Sequence, residues 1–273
     1  PIKPFQGYLV CGSRTPEGET VKSIYPDDFS EEIKSKIGEP YSAGSPHFRK
    51  LKTKEEVIED MYKLTERHFE VMNYLLKNKE WDLFFGMVLA SDKMNHAFWR
   101  YMDKGHRKYV PGNEYENVLK DYYKFVDRKL GEMLEFLDED VSVIVLSDHG
   151  IMRMHTRVNL TDWLIKEGYM VLKEPVLEKK EFSFEMVDWS KTKAFAIGAY
   201  EGQIFLNLKG REPEGIVEEK DYDSLIEELI EKLDKIPGDD GTKLKNDFFR
   251  KKDFFVGKRN ENAPDLMVYF DGL

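Results

Sequence analysis

Trp81-Asp82-Leu83-Phe84-Phe85-Gly86-Met87-Val88-Leu89-Ala90 is a nearly continuous apolar run that Ser91 and Asp92 bring to an end. It is too short for a lone helix and suits a strand buried on both faces. A second run, Val141-Ser142-Val143-Ile144-Val145-Leu146, leaves acidic Asp138-Glu139-Asp140 and stops at Ser147-Asp148. Each run is preceded by a helical stripe. From Thr53 to Asn78, Thr53 and Glu56 form a capping box, and Val57, Met61, Leu64, His68, Val71 and Leu75 recur at helical spacing. From Glu114 to Leu137 the stripe is Tyr115, Leu119, Tyr122, Val126, Leu130, Leu134 and Leu137. Helix, apolar strand, helix, apolar strand predicts an α/β fold with a mostly parallel sheet flanked by helices.

Further along, Asn159 to Lys166 reads as a short helix and Ala194 to Ile197 with Gln203 to Leu208 as a strand pair. Asp221 to Lys235 reads as an amphipathic helix and Asp265 to Tyr269 as a last strand. Residues 1–53 are rich in turn formers, as in Cys11-Gly12-Ser13-Arg14-Thr15-Pro16 and Gly44-Ser45-Pro46, and are expected to be an irregular lid or inserted segment. The α/β core is then expected over 54–273.

At 273 residues the chain is long enough to bury a sizeable core. Its 34% charged content and the lack of any apolar run near roughly 18 residues exclude a membrane-spanning bundle. With 42 basic against 52 acidic residues the net charge is −10, which argues against extended nucleic-acid binding while leaving room for a local basic site. The single cysteine, Cys11, excludes an intramolecular disulfide and a thiolate metal cage. Only Gln6 and Gln203 are glutamines in a chain dominated by Lys and Glu, a balance associated with thermophile proteins. PIKPFQGYLV lacks the marks of a signal peptide, so a cytoplasmic location is expected.

The residues suited to chemistry lie where the two apolar runs finish. Ligands collect at the carboxyl ends of strands in open α/β sheets, so Asp92 and the Asp148-His149 pair are candidates to face one crevice. Asp92 and His96, four apart, project from one face of a helical turn and can reach a common cation. Asp148 and His149 are adjacent and can share a cation only in a turn, for which Gly150 supplies backbone freedom. Each pair also has a plainer reading: Asp92 as a helix cap, His96 as an ordinary half-buried histidine, and Asp148 as a turn residue. Two such pairs at consecutive strand ends favour a divalent metal site, zinc or manganese by donor type.

Other residues near these pairs carry weaker signals. Ser91 and Ser147 have no neighbouring base to activate them. His155, His47, His68 and His106 lack ligand spacing, and Lys93 is either a phosphate counter-charge or a solvated lysine. Phe98, Trp99 and Tyr101 read as helix packing or as the wall of a pocket, and Lys104 to Lys108 as a solvated loop or a contact for an anionic substrate.

Asp92-x-x-x-His96-x-Phe98-Trp99, Ser147-Asp148-His149-Gly150 and Val158-Asn159-Leu160-x-x-Trp163-Leu164 together resemble the type I phosphodiesterase/nucleotide pyrophosphatase branch of the alkaline phosphatase superfamily. Trp189-Ser190-Lys191-Thr192-Lys193-Ala194 and Ala263-Pro264-Asp265-Leu266 are further echoes. The resemblance implies an alkaline-phosphatase-like core and two divalent metals, one held partly by Asp92 and His96, the other partly by Asp148 and His149. It implies hydrolysis of a phosphodiester or pyrophosphate bond in a small, nucleotide-like substrate. Phosphomutase or phosphomonoesterase activity is the alternative within the superfamily, and a non-catalytic metal-binding relative that kept the fold but lacks the nucleophile is the alternative from a different functional class. Members also carry an earlier Asp ligand followed by a Thr or Ser nucleophile, and a later histidine. Neither is found in this sequence, so the expectation is an internal portion of a longer enzyme, incomplete at both ends, with the nucleophile outside it.

Overall fold

The computed structural model describes residues 6–10, 24–37, 53–154, 157–175, 181–198, 201–238, 241–255, 257 and 260–270. Cys11, His47 and His155 lie outside the described residues, as does most of the expected lid. The chain divides into two compact units, Pro1–Arg153 and Met154–Leu273.

In the first unit a short antiparallel ribbon, β1 (Leu9–Val10) with β2 (Ile24–Tyr25), precedes helix α1 (Phe29–Ile37). Ile24, Phe29, Ile33 and Val71 make a small core, the last contributed by helix α2 (Lys54–Asn78). The expected capping box starts α2: Thr53 Oγ1 accepts the Glu56 N–H and Glu56 Oε2 accepts the Thr53 N–H, both at 3.1 Å. Helices α3 (Ala90–Met102) and α4 (Val118–Leu134) pack on α2 through Met61, Leu64, Met94, Phe98, Leu119 and Tyr122. Tyr122 is fully buried, and its hydroxyl meets Thr65 Oγ1 at 2.7 Å, so the phenol is satisfied inside the bundle.

In the second unit a four-stranded sheet runs in the order β3 (Ala194–Ile197), β4 (Gly202–Leu206), β6 (Leu266–Phe270), β5 (Asn246–Arg250), antiparallel throughout. Helices α5 (Leu160–Lys166) and α6 (Tyr222–Leu233) contribute Leu160, Leu164, Ile226 and Leu229 to a core with Ile204, Leu206, Leu266 and Val268. A four-residue helix α7 (Lys251–Phe254) follows β5. Asp265, fully buried at the start of β6, accepts two 2.7 Å hydrogen bonds from Arg211, one of 2.7 Å from the Leu206 N–H and one of 3.1 Å from the Tyr222 hydroxyl. One carboxylate therefore ties β4, β6 and α6 together.

The mostly parallel sheet is corrected here. The sheets among the described residues are antiparallel, and neither 81–90 nor 141–146 belongs to one. Neither run is a strand: residues 82–87 and 142–146 exchange no backbone hydrogen bond with any described residue. A strand is defined by its ladder, and apolarity alone predicts burial without naming what does the burying. In the first run Phe84 and Val88 are half-buried, whereas Leu83 and Phe85 are 86% and 80% exposed. Gly86 lies against α2 so closely that a Cβ there would sit 2.5 Å from Met72 Sδ. In the second run Ile144, Val145 and Leu146 are all exposed. Among the described residues no helix is long and apolar enough to cross a membrane.

Candidate metal and phosphoester site

The candidate site lies wholly in the first unit, where α3 begins straight after the first apolar run. Ser91 Oγ donates to the Val88 carbonyl at 2.8 Å and locks that turn. Asp92 stands in the first turn of α3, where a carboxylate complements the helix dipole, and His96 one turn on. His96 Nε2 lies 3.4 Å from Asp92 Oδ1. That is about the separation of two ligands on a tetrahedral ion with bonds near 2.0–2.1 Å. The pair is equally the geometry of a surface i,i+4 contact, the plainer of the two readings.

The end of the second run brings His149 to the same place, with Nε2 3.9 Å from Asp92 Oδ1 and 3.8 Å from Asp148 Oδ2. His149 Nδ1 is 2.8 Å from the Gly150 carbonyl. A carbonyl only accepts, so Nδ1 carries the proton and Nε2 presents its lone pair toward the carboxylates. That backbone bond, then Asp148 and then Asp92, raises the imidazole above its ordinary pKa. Ser147 Oγ donates to the His149 carbonyl at 2.6 Å, and the His149 N–H donates to Asp148 Oδ1 at 3.1 Å. Both serines therefore fasten turns, in keeping with the lack of an activating base.

Asp92, His96 and His149 are thus brought together around Asp92 Oδ1, with Asp148 at the rim, its side chain 86% exposed. The donor types suit a divalent cation, and each Asp/His pair offers a two-point grip. Among the described residues no group of three or more His, Cys, Asp or Glu side chains forms a metal site, so the grips do not close into a cage.

The surroundings decide the other open readings. Lys93 is half-buried, and burial pulls its ammonium below its ordinary pKa against the opposing effect of Asp60 and Asp92. Phe98 is fully buried in the helix core, with Tyr101 and Tyr115 packed at centroid distances of 6.0 and 5.9 Å, which is helix packing rather than a pocket wall. His68 is buried on α2. Sequence reasoning missed Asp103 and Arg153. Asp103 accepts from the Trp99 indole at 3.1 Å and the Gly105 N–H at 3.0 Å, and pairs with Arg153 Nε at 2.9 Å. This contact fastens the segment that follows Asp148-His149 to the carboxyl end of α3. The i,i+4 spacing of Trp99 and Asp103 was its only trace in the sequence.

Comparison with curated proteins finds no match, and comparison with solved structures finds none. The family model for type I phosphodiesterase/nucleotide pyrophosphatase matches residues 6–272, which takes in both apolar runs, both Asp/His pairs and the buried Asp265. That is almost the whole chain, and the chain accordingly belongs to the type I phosphodiesterase/nucleotide pyrophosphatase family, hydrolases acting on phosphoester bonds.

Proposed function

We propose that this chain supplies part of a two-metal centre that hydrolyses a phosphodiester or pyrophosphate bond in a small phosphoester substrate. Asp92 and His96 would hold one ion and Asp148 and His149 the other, zinc or manganese by donor type. Such ions, when bound, supply charge neutralisation on the phosphoryl oxygens and lower the pKa of bound water. The single observation that carries the reading is the approach of His149 Nε2 to Asp92 Oδ1 at 3.9 Å, because it unites two motifs far apart in sequence.

The side chains have separate tasks in this reading. Asp92, anchored in the first turn of α3, sets the position of the shared carboxylate oxygen. The Gly150 carbonyl fixes the His149 tautomer, so no proton has to leave Nε2 of the neutral ring before it can act as a donor of electrons. The Asp103–Arg153 pair keeps the segment after His149 from drifting away from α3. The test is the hydrolysis of bis(p-nitrophenyl) phosphate against p-nitrophenyl phosphate with added manganese or zinc. Turnover of the diester that falls at least tenfold in His96→Ala supports the reading. Turnover in His96→Ala and Asp148→Ala equal to that of the unaltered chain contradicts it.

A further inference from the structure

Asp92, His96 and Arg100 follow one another at spacings of four on α3 and so share one face of the helix. Arg100 stands about 6 Å beyond His96 along the axis, and the loop that leaves α3 begins about 10 Å beyond it. That loop carries Lys104, His106, Arg107 and Lys108. With Arg100 and Arg153 there are five permanent cations here, with Asp103 and, through the Tyr109 hydroxyl, Glu116 as neighbouring carboxylates, in a chain whose net charge is −10.

The cluster is held in place rather than merely exposed. Arg100 lies over the Tyr101 ring, 4.6 Å from its centroid, and donates to the Tyr101 hydroxyl. Asp103 accepts from the Trp99 indole, the Gly105 N–H and Arg153, so its carboxylate is held at the foot of the loop and offsets part of the local positive charge. The Arg153 guanidinium rests where a Gly105 Cβ would project, only 1.7 Å away, so the bare glycine backbone is what lets the loop dock there. His106 Nδ1 accepts the Lys108 N–H at 3.1 Å, which puts the proton of the neutral ring on Nε2 as a donor. Burial first, then the repulsion of Arg107, Arg100 and Lys108, hold that imidazole below its ordinary pKa against the opposing effect of Asp103. Lys104, Arg107 and Lys108 have no carboxylate within ion-pair distance among the described residues.

A guanidinium laid on an aromatic ring and two exposed cations, all near enough to act on the His106 imidazole donor, suit an anion that accepts several hydrogen bonds at once. We propose that Arg100, His106, Arg107 and Lys108 form a subsite for a second phosphoryl group of the substrate, beyond the one engaged at Asp92 and His96. The inference rests on the proposed function for its choice of ligand. The subsite itself needs no metal, and this separates the two readings.

The experiment is calorimetric titration of pyrophosphate into the full chain in EDTA at low salt. The unaltered chain, Arg100→Ala, Arg107→Glu/Lys108→Glu and the α4 control Lys120→Glu/Lys124→Glu are compared. The dissociation constant should rise at least tenfold in both Arg100→Ala and Arg107→Glu/Lys108→Glu and stay within twofold in the control. Arg107 and Lys108 are exposed and have no ion-pair partner among the described residues, so their reversal should leave the fold intact, which far-UV dichroism checks. No binding by the unaltered chain, an unchanged constant in the loop variants, or an equal loss in the control would overturn the subsite. Intact pyrophosphate binding in EDTA by a chain that takes up no metal would leave the subsite standing and refute the metal centre alone.

Discussion

Replacing Asp265 by alanine tests whether the second unit is held by one buried carboxylate. The side chain is fully buried, and its removal leaves the Leu206 N–H without the acceptor that it meets at 2.7 Å. An orphaned buried N–H costs roughly 1–3 kcal/mol. Arg211 loses two charge-assisted bonds, but its side chain is 28% exposed and it keeps the Leu206 carbonyl at 2.6 Å, so water can replace part of the loss. Breaking a buried pair by removing one partner costs about 3–5 kcal/mol, and the partial exposure of Arg211 places this case near the lower end. Asp265→Ala should therefore lose about 3 kcal/mol in urea denaturation followed by far-UV dichroism, and Asp265→Asn, which keeps an acceptor, should lose less. In a double-mutant cycle with Arg211→Ala the losses should fall short of additive by more than about 1 kcal/mol, because the two side chains act as one unit. A loss below about 1 kcal/mol for Asp265→Ala, or strict additivity, would refute the role given to this carboxylate.

Three other outcomes follow from the geometry. In hydrogen exchange read by mass spectrometry, the amides of residues 82–87 and 142–146 should exchange at near-unprotected rates while those of α2 stay protected; strong protection of either run would show a ladder that the described residues lack. Lys79, then Tyr74, hold the Glu32 carboxyl below its ordinary pKa, so this contact stabilises the fold above that ordinary value and the contribution disappears as pH falls through the folded-state value. Comparing urea midpoints at pH 7 and pH 3 should show a smaller acid loss in Glu32→Gln than in the unaltered chain, and equal losses would count against it. Burial pushes the Tyr122 phenol up to about 12, so it stays protonated and bonded to Thr65 at neutral pH; Tyr122→Phe should cost about 1 kcal/mol, and a neutral effect would contradict the bond.

The helices were legible because their signals are local. The capping box at Thr53 and Glu56 and the stripe from Met61 to Leu75 report a helix that one sequence window contains entirely. The strand pair at 194–197 and 202–206 was legible for the same reason, its partners being close in sequence. β5, by contrast, is an edge strand that opens on Asn246-Asp247 and offers no apolar run to read. The runs at 81–90 and 141–146 show the limit from the other side: their composition predicts burial, but pairing depends on what lies beside them. For the site, the i,i+4 spacing of Asp92 and His96 was readable, and so was the freedom that Gly150 gives the turn. The Asp103–Arg153 tie was not, because its partners are distant in sequence and neither stands in a chemical motif. The basic loop was visible as composition, whereas its fixed geometry depends on Arg153 and Gly105 meeting in space.

In the proposed function Asp92, His96, Asp148 and His149 grip divalent metal. Calorimetric titration of manganese and of zinc into the metal-free chain at neutral pH, alongside Asp92→Ala and His149→Ala, tests it most directly. Asp92 faces both histidines, so its loss should weaken binding at least tenfold, and His149→Ala should weaken it by a similar factor while the helix content stays unchanged. Binding in both variants as tight as in the unaltered chain, or no binding in any of them, would contradict the assignment of these residues as metal ligands.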